Sequence, residues 1–223
     1  MKIIEYSHKI SDELILPEYF DTYYPGLKPA FFDIETTGLS ARNSTLYLIG
    51  ALWYDDNVIY VRQWFNDDGL SEHELLKSFN DFCLNYSHLI HFNGLTFDIP
   101  YLCQKADIHG FDNPSWNNMS QIDIYKDIRA YKRLLGLDNM KQVSIEDYLG
   151  IRRDDTYTGK ELINIYQRYV AMPDEHKESI LLLHNHDDLL GMPAISHILA
   201  YKALFEDIRL DEQTIQTNIT ESS

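Results

Sequence analysis

Basic residues are scarce in this chain. Lys and Arg number 19 against 35 Asp and Glu, a formal net charge of −16 with histidine neutral. That balance excludes a general polyanion-binding surface, whose footprint is a basic stripe or patch. It leaves room for a substrate held through metal ions and a local basic patch. Long apolar runs are missing as well, and nothing approaches the roughly 18 residues that span a bilayer. The opening stretch, MKIIEYSHKISDELILPEYF, is broken by Glu5, His8, Lys9, Asp12 and Glu13, so it does not read as a secretory signal. The expectation is an intracellular, cytoplasmic protein without a membrane partner. Asn43, Asn118 and Asn218 fit the glycosylation pattern, which means little without a secretory route. Cysteine is nearly absent. Cys83 and Cys103 form no metal-ligand spacing and are expected to be reduced core residues. The nine histidines show no HExxH spacing, which argues against a single-metal hydrolase of that kind.

Apolar residues make up 44% of the 223, enough for one sizeable core. Ala30–Ile34 reads as a strand. Thr45–Tyr54 and Val58–Phe65 are rich in branched and aromatic residues and flank an Asp-Asp-Asn turn signal, which predicts a hairpin. Ser71–Tyr86 spaces Leu75, Leu76, Phe79, Phe82 and Cys83 along one helix face, with Ser71 and Glu74 as a capping box. His88–Phe92 is a short strand. Phe97–Ala106 is a helix with Pro100 in its first turn. Gln121–Leu135 begins extended around Ile122–Ile124 and turns helical. Further helices follow at Ser144–Ile151, capped by Ser144, at Glu161–Val170, stopped by Pro173, and at about Glu178–Phe205, bent near Gly191 and Pro193. The organisation is a lead-in arm over 1–29 laid on the core, one domain over 30–210, and a polar tail over 211–223. Strands followed by helices alternating with short strands predict an α/β domain around a mixed sheet.

Acids stand where this pattern wants apolar residues. In AFFDIETTGLS, Asp33 and Glu35 are two apart, so on a strand both point to one face. Thr36, Thr37 and Gly38 then end the strand, and glycine admits a close approach of backbone or ligand. Two hard carboxylates beside an oxygen-rich loop suit Mg²⁺ or Mn²⁺; a solvated strand end is the competing reading. Asp98, in HFNGLTFDIPYL, follows another apolar strand end and opens a helix, where the helix dipole alone favours an acid. In LLLHNHDDLLGM, His184 and Asp188 are four apart on a largely apolar helix and share a face. Asp187, the rival acid, projects about 100° away. Arg129, Lys132 and Arg133, and then Arg152, Arg153 and Lys160, are basic groups that either track a phosphate backbone or form ordinary solvated faces.

In that order, FFDIETTGL, HFNGLTFDIPYL and HNHDD resemble the motifs of the DEDD (DnaQ-like) 3′-5′ exonuclease superfamily on the ribonuclease H-like fold. The second motif is similar to that of family B DNA-polymerase proofreading domains. QIDIYKDIR, VSIEDYLGIRRDDTYTG and the closing HNHDD most resemble YprB-type ribonuclease H-like proteins. The resemblance covers roughly residues 30–200. It implies a central mixed β-sheet flanked by helices and two divalent ions, Mg²⁺ or Mn²⁺, held by Asp33, Glu35, Asp98 and Asp188. His184 would orient or deprotonate the attacking water. The main chain of Thr36, Thr37, Gly38 and Leu39 would meet a terminal nucleotide, with Asn93 and Phe97 as candidates to pack on its sugar or base; for Phe97 a core role is the competing reading. One departure stands out. Three residues separate His184 from Asp188, a spacing at which the proofreading type has tyrosine; the YprB-like group has histidine there. The implied activity is phosphodiester hydrolysis of DNA or RNA, most simply from a 3′ end. An endonuclease or structure-specific nuclease with the same residues and a non-cleaving nucleic-acid or protein binding module are the alternatives. The net charge is compatible with a protein partner that guides nucleic acid. Oligomeric state is not legible.

Overall fold

The computed structural model describes residues 1–9, 26–55 and 58–199. Six strands form one sheet: β1 (Lys2–Lys9), β2 (Pro29–Thr36), β3 (Leu46–Asp55), β4 (Val58–Phe65), β5 (His88–His91) and β6 (Ser120–Asp123), in the spatial order β1-β4-β3-β2-β5-β6. β2 runs antiparallel to β3 and parallel to β5, and β5 runs parallel to β6. The helices are α1 (Glu72–Cys83), α2 (Asp98–His109), α3 (Ile124–Ile128), α4 (Gln142–Tyr148), α5 (Gly159–Ala171) and α6 (Glu175–Ser196), with 3-10 turns at Ser115–Asn118 and Arg129–Tyr131. The expected α/β architecture, a mixed sheet between helices, is what forms.

Alternation along β2 sorts its side chains between two cores. Ala30, Phe32 and Ile34 face α1 and α2, meeting Leu75, Phe79, Leu102 and Trp116. Phe31 faces the other way, with Leu52 and Val61, against Leu189 and Met192 of α6. Asp33 and Glu35 continue that second face. A third cluster joins Tyr47, Leu48 and Phe65 to Leu162, Tyr166 and Tyr169 of α5 and to Leu181 and Leu182 of α6. Gly50 lies opposite Asp33 across the β2–β3 ladder. A β-carbon there would collide with Asn185 and Leu189, so this glycine is what lets α6 lie close on the sheet.

Several details differ from the sequence reading. Residues 2–9, expected to belong to a lead-in arm, form edge strand β1 in register with β4 from Lys2↔Phe65 to Lys9↔Val58. Of the rest of that arm, residues 26–28 precede β2, and positions 10–25 lie outside the described residues, as do positions 56–57, where a turn is expected. Ser71 makes no cap. Its hydroxyl donates to Asp68, 2.8 Å from Oδ1, and accepts from the N-terminal ammonium at 3.0 Å. The reciprocal capping box sits instead at α5, between Thr158 and Glu161. Ser144 lies inside α4, and its hydroxyl bonds Asn139 rather than capping. α6 begins at Glu175 and runs through Gly191 and Pro193 to Ser196; the expected extension from 200 to 205 and the 211–223 tail lie outside the described residues. Cys83 is buried and Cys103 half-buried, both as free thiols. No helix among the described residues is long and apolar enough to cross a membrane.

Candidate metal centre

Three elements bring the acids together. β2 supplies Asp33 and Glu35, the first turn of α2 supplies Asp98, and α6 supplies His184 and Asp188. Burial pushes the Asp33 carboxyl well above the usual carboxylate range, and the charges of Asp188, Glu35 and Asp98 push it further. Burial likewise raises Glu35 to about 7, against the opposing pull of His184. It raises Asp98 to about 7, against backbone N–H donors at Asp98 and Ile34. Asp33, Glu35 and Asp98 therefore sense one another and the charge of Asp188, in a site that favours the neutral forms of these three unless a cation is present.

His184 lies between two of them. Its Nε2 is 3.5 Å from Glu35 Oε1 and 3.4 Å from Asp188 Oδ2. Its Nδ1 is 2.6 Å from Asp155 Oδ2. Burial lowers the proton affinity of this imidazole, but the charges of Glu35, Asp188 and Asp155 outweigh it, and the net direction is upward. One donor atom each from Glu35, His184 and Asp188 lie within 4.8 Å of one another. Crowded carboxylate oxygens with one imidazole nitrogen fit small divalent ions such as Mg²⁺ or Mn²⁺.

The floor of the site is a polar relay that the sequence did not reveal. Asn185 is fully buried; its Nδ2 donates to Asp33 Oδ2 at 2.9 Å, and its Oδ1 accepts from Gln63 Nε2 at 2.9 Å. Gln63 also reaches the Leu182 carbonyl at 2.8 Å. Asn185 follows His184 directly, so only its contact with β2 marks it as part of the site. Tyr47 donates its hydroxyl to Glu35 Oε2 at 3.3 Å.

The loop that leads to Asp98 is held by Asp123. Asn93 adopts a left-handed backbone, φ 64°, and its N–H donates to Asp123 Oδ1 at 3.0 Å. Leu95 N–H donates to Asp123 Oδ2 at 3.2 Å, and Lys126 N–H to Oδ1 at 3.1 Å. Asp123 thus ties the turn after β5 to the start of α3, a role the sequence reading missed. Phe97 packs partly buried on the α1–α2 core, 5.5 Å from the Tyr101 ring. At the end of β2, Thr36 Oγ1 donates to the Gly38 carbonyl at 2.9 Å; in the loop that follows, Thr37 pairs with Thr45, and Leu39 stands 87% exposed.

Asp187 and Asp188 divide as helical geometry predicts. Asp187 Oδ2 accepts the N–H groups of Asp154 at 2.9 Å and Asp155 at 2.8 Å, away from Glu35. Arg153, grouped in the sequence with solvent-facing bases, is instead enclosed. Its Nη1 donates to Asp188 Oδ1 at 2.6 Å and to Glu146 Oε2 at 2.9 Å. Arg129, Lys132, Arg133, Arg152 and Lys160 are exposed.

Comparison with known proteins agrees with this architecture. The chain superposes on a family B DNA polymerase from the hyperthermophilic archaeon Pyrobaculum calidifontis with a TM-score of 0.63 and 17% identity, over 79% of this chain and 25% of that one. It superposes on exonuclease I with a TM-score of 0.53 and 14% identity, over 78% of this chain and 40% of the other. The chain thus spans a quarter to two fifths of the length of these structural neighbours. A sequence search among curated proteins returns no match. A family model described as the RNase_H superfamily matches residues 30–200, and the chain belongs to that superfamily.

Proposed function

We propose that the chain is a metal-dependent nuclease of the DEDD type, YprB-like, that removes nucleotides from 3′ ends of DNA or RNA. The observation that carries this reading is the convergence of Asp33, Glu35, Asp98 and Asp188, from three elements, into one cluster, in which burial and the neighbouring acids push the Asp33, Glu35 and Asp98 carboxyls upward in pKa. Two divalent ions, when bound there, supply Lewis acidity at the phosphate and a more acidic water. The chain's own residues have separable tasks. Asp33, Glu35, Asp98 and Asp188 would hold the ions, with Asp33 central because it comes from the middle of the sheet and is fixed from below by Asn185. His184 would take a proton on Nε2, the nitrogen that faces Glu35 and Asp188, while its Nδ1 is engaged by Asp155. The main chain from Thr36 to Leu39 and the side chains of Asn93 and Phe97 would receive the terminal nucleotide. A guiding protein partner is compatible with the −16 charge.

The test uses 5′-labelled single-stranded DNA and RNA of one sequence, incubated with the protein in Mn²⁺, Mg²⁺ or EDTA beside Asp33→Asn. Shortening from the 3′ end, lost in EDTA and in the variant, is expected, and it also reports sugar preference. Internal cuts lost in the same controls would replace the exonuclease with an endonuclease. Intact substrate, with duplex and flap forms also uncut, would replace both with a binding module.

A further inference from the structure

Residues 151–158, IRRDDTYT, bridge α4 and α5 and carry two side chains that turn inward. Arg153 is 9% exposed and Asp155 4% exposed at their side chains. Arg153 does not simply neutralise the buried Glu146. Its shortest contact, 2.6 Å, goes from Nη1 to Asp188 Oδ1, against 2.9 Å to Glu146 Oε2. Its other terminal nitrogen, Nη2, is buried without a hydrogen-bond partner, a costly arrangement for a guanidinium kept only for stability. Asp155 does not pair squarely with that Nη2, which lies 3.7 Å from Oδ2. The same Oδ2 is 2.6 Å from His184 Nδ1. The loop backbone is anchored too, because Asp187 accepts the N–H groups of both Asp154 and Asp155. Helix α6 thus carries the anchor, Asp187, and both side chains that the loop reaches, His184 and Asp188.

We infer that Arg153 and Asp155 are positioning residues of the carboxylate site: one loop clamps Asp188 through Oδ1 and His184 through Nδ1, leaving Asp188 Oδ2 and His184 Nε2 facing each other and Glu35. The inference rests on the metal-site reading above. Each clamp removes one freedom. Asp155 fixes the tautomer and ring orientation of the imidazole, as a carboxylate behind a functional histidine does. Arg153, a planar fork, sets the carboxylate plane of Asp188 in a way the point charge of lysine cannot reproduce.

Two readouts that do not depend on cleavage test this in the whole 223-residue chain. The first is long-range ¹H–¹⁵N NMR of the metal-free imidazoles at a pH where His184 is neutral. The wild type is expected to show His184 with its proton on Nδ1. Asp155→Ala should give a mixture of tautomers, and Asp155→Asn, which keeps an acceptor oxygen, should restore the wild-type pattern in part. The second is Mn²⁺ titration by calorimetry. Arg153→Lys keeps the charge but loses the fork and should bind Mn²⁺ about ten- to a hundredfold more weakly, the usual loss for a residue that orients a ligand, while Lys160→Ala on the exposed neighbouring stretch should bind as the wild type does. An unchanged tautomer in Asp155→Ala, or an unchanged Mn²⁺ affinity in Arg153→Lys, would overturn the inference for that residue. Should Arg153→Lys fail to fold, as its thermal melt would show, the clamp through Oδ1 is replaced by a structural role for Arg153, and the tautomer comparison decides for Asp155. A wild type that binds no Mn²⁺ would instead sink the metal-site reading, and the metal-free tautomer measurement would still judge the Asp155 clamp.

Discussion

The acid cluster makes the stability of the metal-free protein depend on pH in a direction opposite to the common one. A carboxylate paired with a base has a depressed pKa and stabilises the fold as pH rises. Here Glu35 moves from an ordinary 4.5 to about 7, chiefly through burial, and Asp98 from 3.8 to about 7 for the same reason. The folded state therefore keeps protons that the unfolded chain has released. Stability from these groups is fully present below about pH 4 and falls as pH rises through about 7, where the folded carboxyls ionise. At about 1.4 kcal/mol per pH unit, Glu35 alone accounts for about 3 kcal/mol and Asp98 for about 4. Their charges share one site and ionise in sequence, so a combined loss of at least about 3 kcal/mol between pH 5 and pH 8 is expected. For a chain of this size that lowers the melting temperature by about 6 °C or more. On the proposed metal-site reading, saturating Mn²⁺ would bind the ionised form, offsetting the loss at pH 8 while adding little at pH 5. The assay is differential scanning calorimetry at four pH values, in EDTA and in Mn²⁺, beside the double variant Glu35→Gln/Asp98→Asn, whose amides mimic the protonated acids. Parallel curves for wild type and double variant in EDTA would refute the argument, because the pH dependence would then come from the remaining charges.

Other perturbations test the scaffold. Gly50→Ala places a methyl group against Asn185 and Leu189; an overpacking cost of about 1–3 kcal/mol is expected, read as a lower midpoint in urea, and an unchanged midpoint would show that α6 does not need this glycine. Asn185→Ala removes the donor to Asp33 and the acceptor for Gln63, and about 2 kcal/mol should be lost in the same melts; a wild-type midpoint would remove the relay from the account of the site. Asp123→Ala frees the N–H groups of Asn93, Leu95 and Lys126, so hydrogen exchange should quicken at those three amides while β3 and β4 keep their protection; equal exchange at the three would show that the loop holds its shape without Asp123.

What the sequence makes legible is what local periodicity controls. The i, i+2 spacing of Asp33 and Glu35 fixes their common face on β2, and the i, i+4 spacing of His184 and Asp188 fixes theirs on α6. The 100° step to Asp187 sends that acid toward the loop backbone, as the structure finds. Strand β1 was legible in principle, since Ile4, Tyr6 and His8 alternate with Glu5, Ser7 and Lys9 and form its less exposed side. The charged residues of an edge strand mask that pattern. Caps are less secure. Ser71 has the right neighbours for a capping box, but a distant group, the N-terminal ammonium, and nearby Asp68 take its hydroxyl.

Compensation of charge is the part that no short window contains. Asp33 is answered by Asn185, 152 positions away; His184 by Asp155, 29 away; Asp188 by Arg153, 35 away. Each pairing exists only after α6 has packed on its neighbours: a side chain at Gly50 would meet Asn185 and obstruct the packing of α6 on the sheet, and one at Gly191 would meet Glu146 and obstruct its packing on α4. A buried acid without such partners would be neutralised or expelled. The apolar face of α6 and these two glycines therefore come first in the causal order: they bring the helix close enough for Asn185 to reach Asp33, Asp155 to reach His184 and Arg153 to reach Asp188, and only then does a cluster of like charges become tolerable at the centre of the sheet.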